Sequence, residues 1–164
     1  MKIIKMVFLA LLLSGCSTAY QPQSFTGGFS ETQIDENVFK VSFTGNGYTS
    51  REKASDFALL RSAELSLKNG YKFFVIVDGS NYSTNSTYTT PTTYHTNATF
   101  SSYGNTGYGH ATTRSSGGQT YNIAKPNSTN TIACFKEKPE GTFSYNADFI
   151  YKSLSEKYRI KKPE

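Results

Sequence analysis

Five stretches of the chain show the spacing of apolar residues that is typical of regular secondary structure. Apolar and polar side chains alternate over residues 38–44, which predicts a strand with one buried face. Residues 71–77 form an almost continuous apolar run, as expected for a strand covered on both faces, and residues 131–136 form a third strand. Apolar residues at three- and four-residue intervals predict helices over about 50–69 and about 146–158.

Residue types at the ends of both helices support these predictions. Thr49 and Glu52 have the spacing of a capping box, and Gly70 stands where a left-handed C-terminal cap is expected. Ser144 or Asn146 can cap the second helix. The order of elements predicts an α+β fold, with a small sheet of three to five strands and both helices packed on one face. A right-handed crossover would make the first two strands parallel neighbours.

A long insertion rich in Ser, Thr and Tyr separates the second strand from the third, over residues 80–130. No acidic residue occurs from Gly79 to Lys136. Two interpretations are open, namely a disordered segment prone to self-association and a β-hairpin, because Thr and Tyr favour strands. We favour a flexible hairpin with a disordered tip. Its arms would cover about 92–100 and 119–124, with bends at 104–107 or 117–118.

The first residues of the chain have the pattern of a secretory signal peptide. Lys2 and Lys5 supply positive charge, and residues 6–13 are all apolar. Eight apolar residues are too few for a membrane-spanning helix, which needs about 20. The small residues Ser14 and Gly15 follow the apolar run.

Leu13-Ser14-Gly15-Cys16 resembles the lipobox of bacterial lipoproteins. The resemblance implies cleavage between Gly15 and Cys16, an S-diacylglycerol thioether on the Cys16 thiol and an N-palmitoyl group on its amine. Two or three acyl chains would hold the protein at a bilayer almost irreversibly, because each buried CH₂ contributes about 0.8 kcal/mol. Ser17, rather than Asp, follows Cys16. By the sorting rule of enteric lipoproteins, this favours the outer membrane, facing the periplasm.

These patterns predict a single folded domain behind a lipid anchor. We expect a signal peptide over 1–15, a lipidated N-terminus and flexible tether over 16–30, an α+β domain over 31–160 and a basic tail over 161–164. The formal net charge of +5 includes Lys2 and Lys5, so the mature chain would carry +3. Export disfavours nucleic acid as a partner, despite the sequence pI of about 9.1.

The remaining cysteine has no recognisable chemical partner. If Cys16 is lipidated, Cys134 is the only free thiol, and we expect it to pack as a small buried apolar side chain. His95 and His110 lie in the insertion, and their spacing from Cys134 matches no metal site. We therefore expect no metal and no cofactor other than the covalent lipid on Cys16.

The mature chain contains the segments Gly28-Phe29-Ser30-Glu31, Phe43-Thr44-Gly45-Asn46, Leu59-Leu60-Arg61-Ser62-Ala63-Glu64-Leu65, Asn69-Gly70-Tyr71, Phe74 and Lys125-Pro126-Asn127. These segments resemble a family of small bacterial envelope lipoproteins that has no assigned activity. The resemblance implies a periplasm-facing lipoprotein and transfers no catalytic residue. Glu31, Asn46, Arg61 and Glu64 are the candidate members of a structural or binding cluster within these segments.

Two classes of function remain open. The first is a non-enzymatic structural or binding module at the bilayer, whose tyrosine-rich insertion contacts an envelope protein or peptidoglycan; tyrosine offers rigid contact area with a polar tip. The alternative is a periplasmic hydrolase or glycan-processing protein with a site that no motif reveals. A pocket that joined Glu31, Arg51, Arg61 and Glu64 would favour the alternative. The sequence has no phosphate-binding glycine loop, HExxH or CxxC motif.

Overall fold

The computed structural model describes residues 17–161, so the predicted signal peptide, Cys16 and residues 162–164 lie outside the described residues. Over these residues the predicted α+β class is confirmed, with strands in antiparallel sheets and two helices. The elements are β1 Gly28–Asp35, β2 Val38–Thr44, α1 Arg51–Lys68, β3 Phe73–Thr89, β4 Thr93–Tyr103, β5 Thr106–Ser116, β6 Thr120–Phe135, β7 Tyr145–Asn146 and α2 Ala147–Tyr158.

The main sheet has five strands in the order β1-β2-β6-β3-β7. Phe29 of β1 lies opposite Phe43 of β2, and Val41 of β2 lies opposite Asn130 of β6, both in antiparallel register. The first two strands predicted from the sequence, over 38–44 and 71–77, correspond to β2 and β3. Because β6 separates these two strands in the sheet, the prediction that they are parallel neighbours is wrong. The chain returns from β3 through the insertion, and its returning strand takes the position between them.

One face of this sheet packs against both helices. Phe39, Val41 and Phe43 alternate with more exposed residues along β2, as their spacing predicts, and all three are buried. The opposite face of β3 is not covered in the same way, since Val77 is 59% exposed. The prediction that residues 71–77 are covered on both faces is therefore wrong. Their apolar run reflects strand propensity as well as burial.

The helix ends agree with the predictions except for one cap. The side chain of Ser50 accepts the Lys53 N–H at 3.1 Å, so Ser50 rather than Thr49 caps α1. Gly70 has a φ of +80°, the left-handed conformation expected just beyond the helix. Asn146 caps α2.

Residues 17–30 are part of the folded structure, whereas the sequence predicts a flexible tether over 16–30. The Thr18 side chain is buried, and the Tyr20 ring packs against Phe29 at 4.9 Å and Phe57 at 5.4 Å between centroids. Gly27, with a φ of +102°, makes the turn into β1. The contacts of the Tyr20 ring with Phe29 and Phe57 therefore attach this segment to the folded domain, although its polar composition suggested a linker.

The described residues form two compact units. The first consists of 17–84 and 124–161, and the second of Asn85–Ile123. In the second unit, β4 pairs with β5 from Thr93–Ser116 to Tyr103–Thr106. The insertion thus contains a hairpin, as in our favoured interpretation, but β4 pairs with β5 and not with 119–124, and its tip is a two-residue turn rather than the disordered tip that we expect from the sequence. The tight turn after Tyr103, where Gly104 has a φ of +62°, sets this register.

Candidate binding sites

Arg61 of α1 lies between two carboxylates. Its Nη2 and Nε donate to the Glu31 carboxylate at 2.5 and 3.1 Å, and its Nη1 donates to Glu64 Oε2 at 2.8 Å. Glu31 comes from β1, whereas Glu64 is three residues further along α1. The contact with Glu31 is bidentate, which is the strongest arrangement of a guanidinium and a carboxylate. It connects β1 to the helix.

Tyr20 completes this group, which we call the Arg61 cluster (Tyr20, Glu31, Arg61 and Glu64). The Tyr20 hydroxyl donates to Glu64 Oε2 at 2.5 Å. Burial and the hydrogen bond to Glu64 raise the pKa of Tyr20, so the phenol stays protonated and acts as a donor. Burial opposes the charge on Arg61, but its hydrogen bonds with Glu31 and Glu64 outweigh that effect and raise its pKa.

Tyr20, Arg61 and Glu64 of this cluster line a pocket of about 390 Å³, whereas Glu31 does not. Arg51, which the hydrolase alternative would place in such a pocket, is exposed at the start of α1 and does not line it. Glu64 Oε2 already accepts from both Tyr20 and Arg61. These contacts hold the N-terminal segment and β1 against α1.

Asn46, the fourth predicted member, lies in a separate group, the Thr18 cluster (Thr18, Asn46 and Thr49). The Asn46 N–H donates to Thr18 Oγ1 at 2.9 Å, and the Thr49 hydroxyl donates to Asn46 Oδ1 at 3.0 Å. The Thr18 N–H donates to Thr49 Oγ1 at 3.1 Å. Sequence reasoning missed Thr18 because a threonine in a polar segment gives no signal of burial.

Cys134 has the environment of a packing residue, as predicted. It is 1% exposed in the core, and its sulfur lies 3.2 Å from the Ser66 hydroxyl. Burial raises the pKa of the Cys134 thiol, which disfavours the reactive thiolate. Within residues 17–161, no group of three His, Cys, Asp or Glu side chains could hold a metal ion.

The β4–β5 hairpin of the second unit exposes both of its faces. Because side chains alternate along a strand and directly paired residues share a face, the register assigns each residue to one of two surfaces. One surface, the Tyr/His face, consists mainly of aromatic, amide, hydroxyl and basic side chains. Its members include His95, Asn97, Thr99, Tyr103, Tyr108, His110, Thr112 and Arg114.

The opposite face of the hairpin is less polar. It carries Tyr94 and Phe100, and the Phe100 ring lies over Gly107, where an added Cβ would come within 2.6 Å of it. This contact shields backbone that glycine leaves bare. The uneven division of the aromatic side chains could not be read from the sequence, because it depends on the register of the hairpin.

Comparison of the chain with protein-family models, curated proteins and solved structures gives no match. The resemblance to envelope lipoproteins therefore stays a prediction. Over residues 17–161, no helix has both the length and the apolar character needed to cross a bilayer.

Proposed function

We propose that this chain is a lipid-anchored protein of the bacterial envelope, attached through Cys16 to the outer membrane and facing the periplasm, and that its second unit binds peptidoglycan. The anchor is supported by the charged, apolar and small residues that precede Cys16. A binding role is supported by the second unit. The single observation that carries it is the Tyr/His face, whose side chains are all exposed.

The chemistry of this face suits a glycan. Tyr103 is 91% exposed and Tyr108 is 70% exposed, so both rings are free to stack on sugar rings while their hydroxyls form hydrogen bonds. Asn97 and Thr112, which are cross-strand partners, add amide and hydroxyl groups. His95 pairs with Arg114, and the absence of acidic residues from this segment avoids repulsion of the carboxylates on peptidoglycan stem peptides.

A non-catalytic role fits the first unit. The carboxylates of Glu31 and Glu64 are both engaged by Arg61, and the pKa of Tyr20 is raised by burial. These groups fasten the start of the domain to α1. We therefore propose that the first unit has a structural role and no catalytic one.

Lipid attachment is tested by metabolic labelling with a clickable palmitate analogue. The wild-type chain should be labelled and recovered with membranes, whereas the Cys16→Ala variant should lose the label because it lacks the thiol that accepts the diacylglyceryl group. Cys134→Ala is the matched control and should be labelled like the wild type. Retained labelling of Cys16→Ala would contradict the anchor.

Glycan binding is tested by co-sedimentation with purified peptidoglycan sacculi. The most direct variant deletes residues 93–116 and joins Thr92 to Gly117; Thr93 and Ser116 are directly paired, so the cut closes over a short distance. The wild type should sediment with sacculi and the deletion variant should stay in solution. Equal sedimentation of both proteins, or none of the wild type, would contradict the proposal.

Point variants separate the two faces of the hairpin. Changing Tyr103 and Tyr108 together to Ser should weaken binding at least tenfold, because stacked aromatic rings contribute about 1 kcal/mol or more each. Tyr94→Ser is the matched control, since Tyr94 is 68% exposed on the opposite face. It should bind sacculi like the wild type. A similar loss in Tyr94→Ser would show that the Tyr/His face is not the binding surface.

A further inference from the structure

Two exposed aromatic side chains lie at the tips of turns near the first described residue. Phe25 is fully exposed, in a turn closed by reciprocal backbone hydrogen bonds of 3.0 and 3.1 Å between Ser24 and Gly27. Tyr48 is 76% exposed, and its N–H donates to Asn46 Oδ1 at 3.0 Å. Exposed rings on well-fastened turns cost little conformational entropy when they meet a partner.

Both turns are held by Thr18. The Thr18 hydroxyl donates to the carbonyl of Thr26, the residue after Phe25, at 3.0 Å. The same oxygen accepts the N–H of Asn46 at 2.9 Å. Thr18 is only 2% exposed, so it is a fixed point from which the two turns extend.

The position of Thr18 along the chain relates these aromatic residues to the anchor. Only Ser17 separates Thr18 from Cys16, and two peptide units span at most about 7 Å. A lipid on Cys16 would therefore keep the Thr18 cluster close to the headgroup layer. The two turns that Thr18 holds would therefore lie close to that layer as well.

We propose that Phe25 and Tyr48 insert into the headgroup region of the bilayer beside the lipid on Cys16; this inference rests on the proposed lipid anchor. Tyrosine is enriched at membrane interfaces, where its ring lies at the headgroup level, and phenylalanine supplies apolar area that is buried at the boundary of headgroups and acyl chains. Lys53 supplies a positive charge at the same place, because its Nζ bonds the Ser17 hydroxyl at 2.5 Å, and this charge suits anionic phospholipids. The contact would orient the first unit on the membrane.

The absence of tryptophan allows a direct test with single-tryptophan reporters. The lipidated Phe25→Trp and Tyr48→Trp variants are reconstituted into phosphatidylethanolamine and phosphatidylglycerol vesicles, with and without acyl-chain-brominated phospholipid. The matched control is Phe149→Trp, because Phe149 is also exposed, at 68%. Phe149 lies in the first turn of α2. The Ala147 N–H of that turn donates to the carbonyl oxygen of Lys72, which follows the C-terminal end of α1. The 18-residue α1 separates that end from Tyr48 by about 27 Å.

The proposal predicts a blue-shifted emission and at least twofold quenching by brominated lipid for Phe25→Trp and Tyr48→Trp, and neither effect for Phe149→Trp. Equal quenching in all three variants, or no quenching in the first two, would overturn it. A blue shift without quenching would show burial against a second protein copy and would also overturn it. Mass spectrometry of the same samples detects the lipid on Cys16, so failure of the anchor is distinguished from failure of the inserted rings.

Discussion

Removal of the Tyr20 hydroxyl tests the Arg61 cluster most sharply. Tyr20→Phe keeps the ring that packs on Phe29 and Phe57 but deletes the 2.5 Å hydrogen bond to Glu64. A hydrogen bond to a charged group contributes about 1.5–3 kcal/mol. We expect the variant to lose about 2 kcal/mol of unfolding free energy at pH 8.

The loss should depend on pH because the pKa of Tyr20 is raised by burial and by the hydrogen bond to Glu64. Above about pH 10 the tyrosine ionises in the unfolded chain but stays protonated in the folded one, so unfolding releases a proton and stability falls as pH rises. At pH 11 this removes about 1.4 kcal/mol from the wild type and nothing from Tyr20→Phe. The difference between the two proteins should therefore shrink to about 0.6 kcal/mol.

Urea unfolding of the lipidated protein in detergent micelles, followed by far-ultraviolet circular dichroism, measures both values. With an m-value of about 2 kcal/mol/M, the midpoint should fall by about 1 M at pH 8 and by about 0.3 M at pH 11. The control Tyr82→Phe, at a tyrosine that is 57% exposed, should stay within about 0.5 kcal/mol of the wild type. A loss from Tyr20→Phe that is equal at both pH values, or below that limit at pH 8, would refute this reasoning.

Three further predictions concern the first unit. Arg61→Met should cost about 2 kcal/mol in urea unfolding, since it leaves two partly buried carboxylates without their cation, whereas the exposed Arg51→Met should cost less than about 0.5 kcal/mol. Gly27→Ala should lower stability by about 3 kcal/mol, because its Cβ would lie 2.3 Å from the Thr44 carbonyl oxygen. Gly141→Ala, which has a positive φ but no nearby atom, should cost about 1 kcal/mol. The Cys134 thiol should react with Ellman's reagent at least 100-fold faster in urea than in the folded protein, since its pKa is raised by burial; rapid labelling of the native protein would contradict its placement in the core.

Local patterns predicted the first unit well where one face of an element is buried. The alternation over residues 38–44 coincides with β2, and the periodicity of α2 ends at Tyr158 as the apolar stripe does. The order of strands could not be predicted in the same way. β6 lies between β2 and β3 and pairs with Val41 and its neighbours on β2. The paired residues are about 90 positions apart, so a local sequence pattern cannot predict the pairing.

The candidate cluster was only partly predictable for a similar reason. Arg61 and Glu64 are three residues apart on one helix, a spacing that indicates a pair. Their contacts with Glu31 and Tyr20 cross 30 and 44 residues and depend on how residues 17–30 dock. Asn46 belongs to the Thr18 cluster because both its N–H and its side-chain oxygen bond within a turn whose docking on Thr18 leaves no local sequence signal.

The proposed lipid at Cys16 would place both the proposed peptidoglycan contact and the proposed inserted aromatic rings beside the membrane. Intact-protein mass spectrometry of the chain extracted from membranes tests it directly. We predict a chain that begins at Cys16, carries a diacylglyceryl thioether and an N-linked acyl group, and keeps one free thiol at Cys134. A chain with an unmodified Cys16 thiol, or one cleaved at another position, would contradict the account.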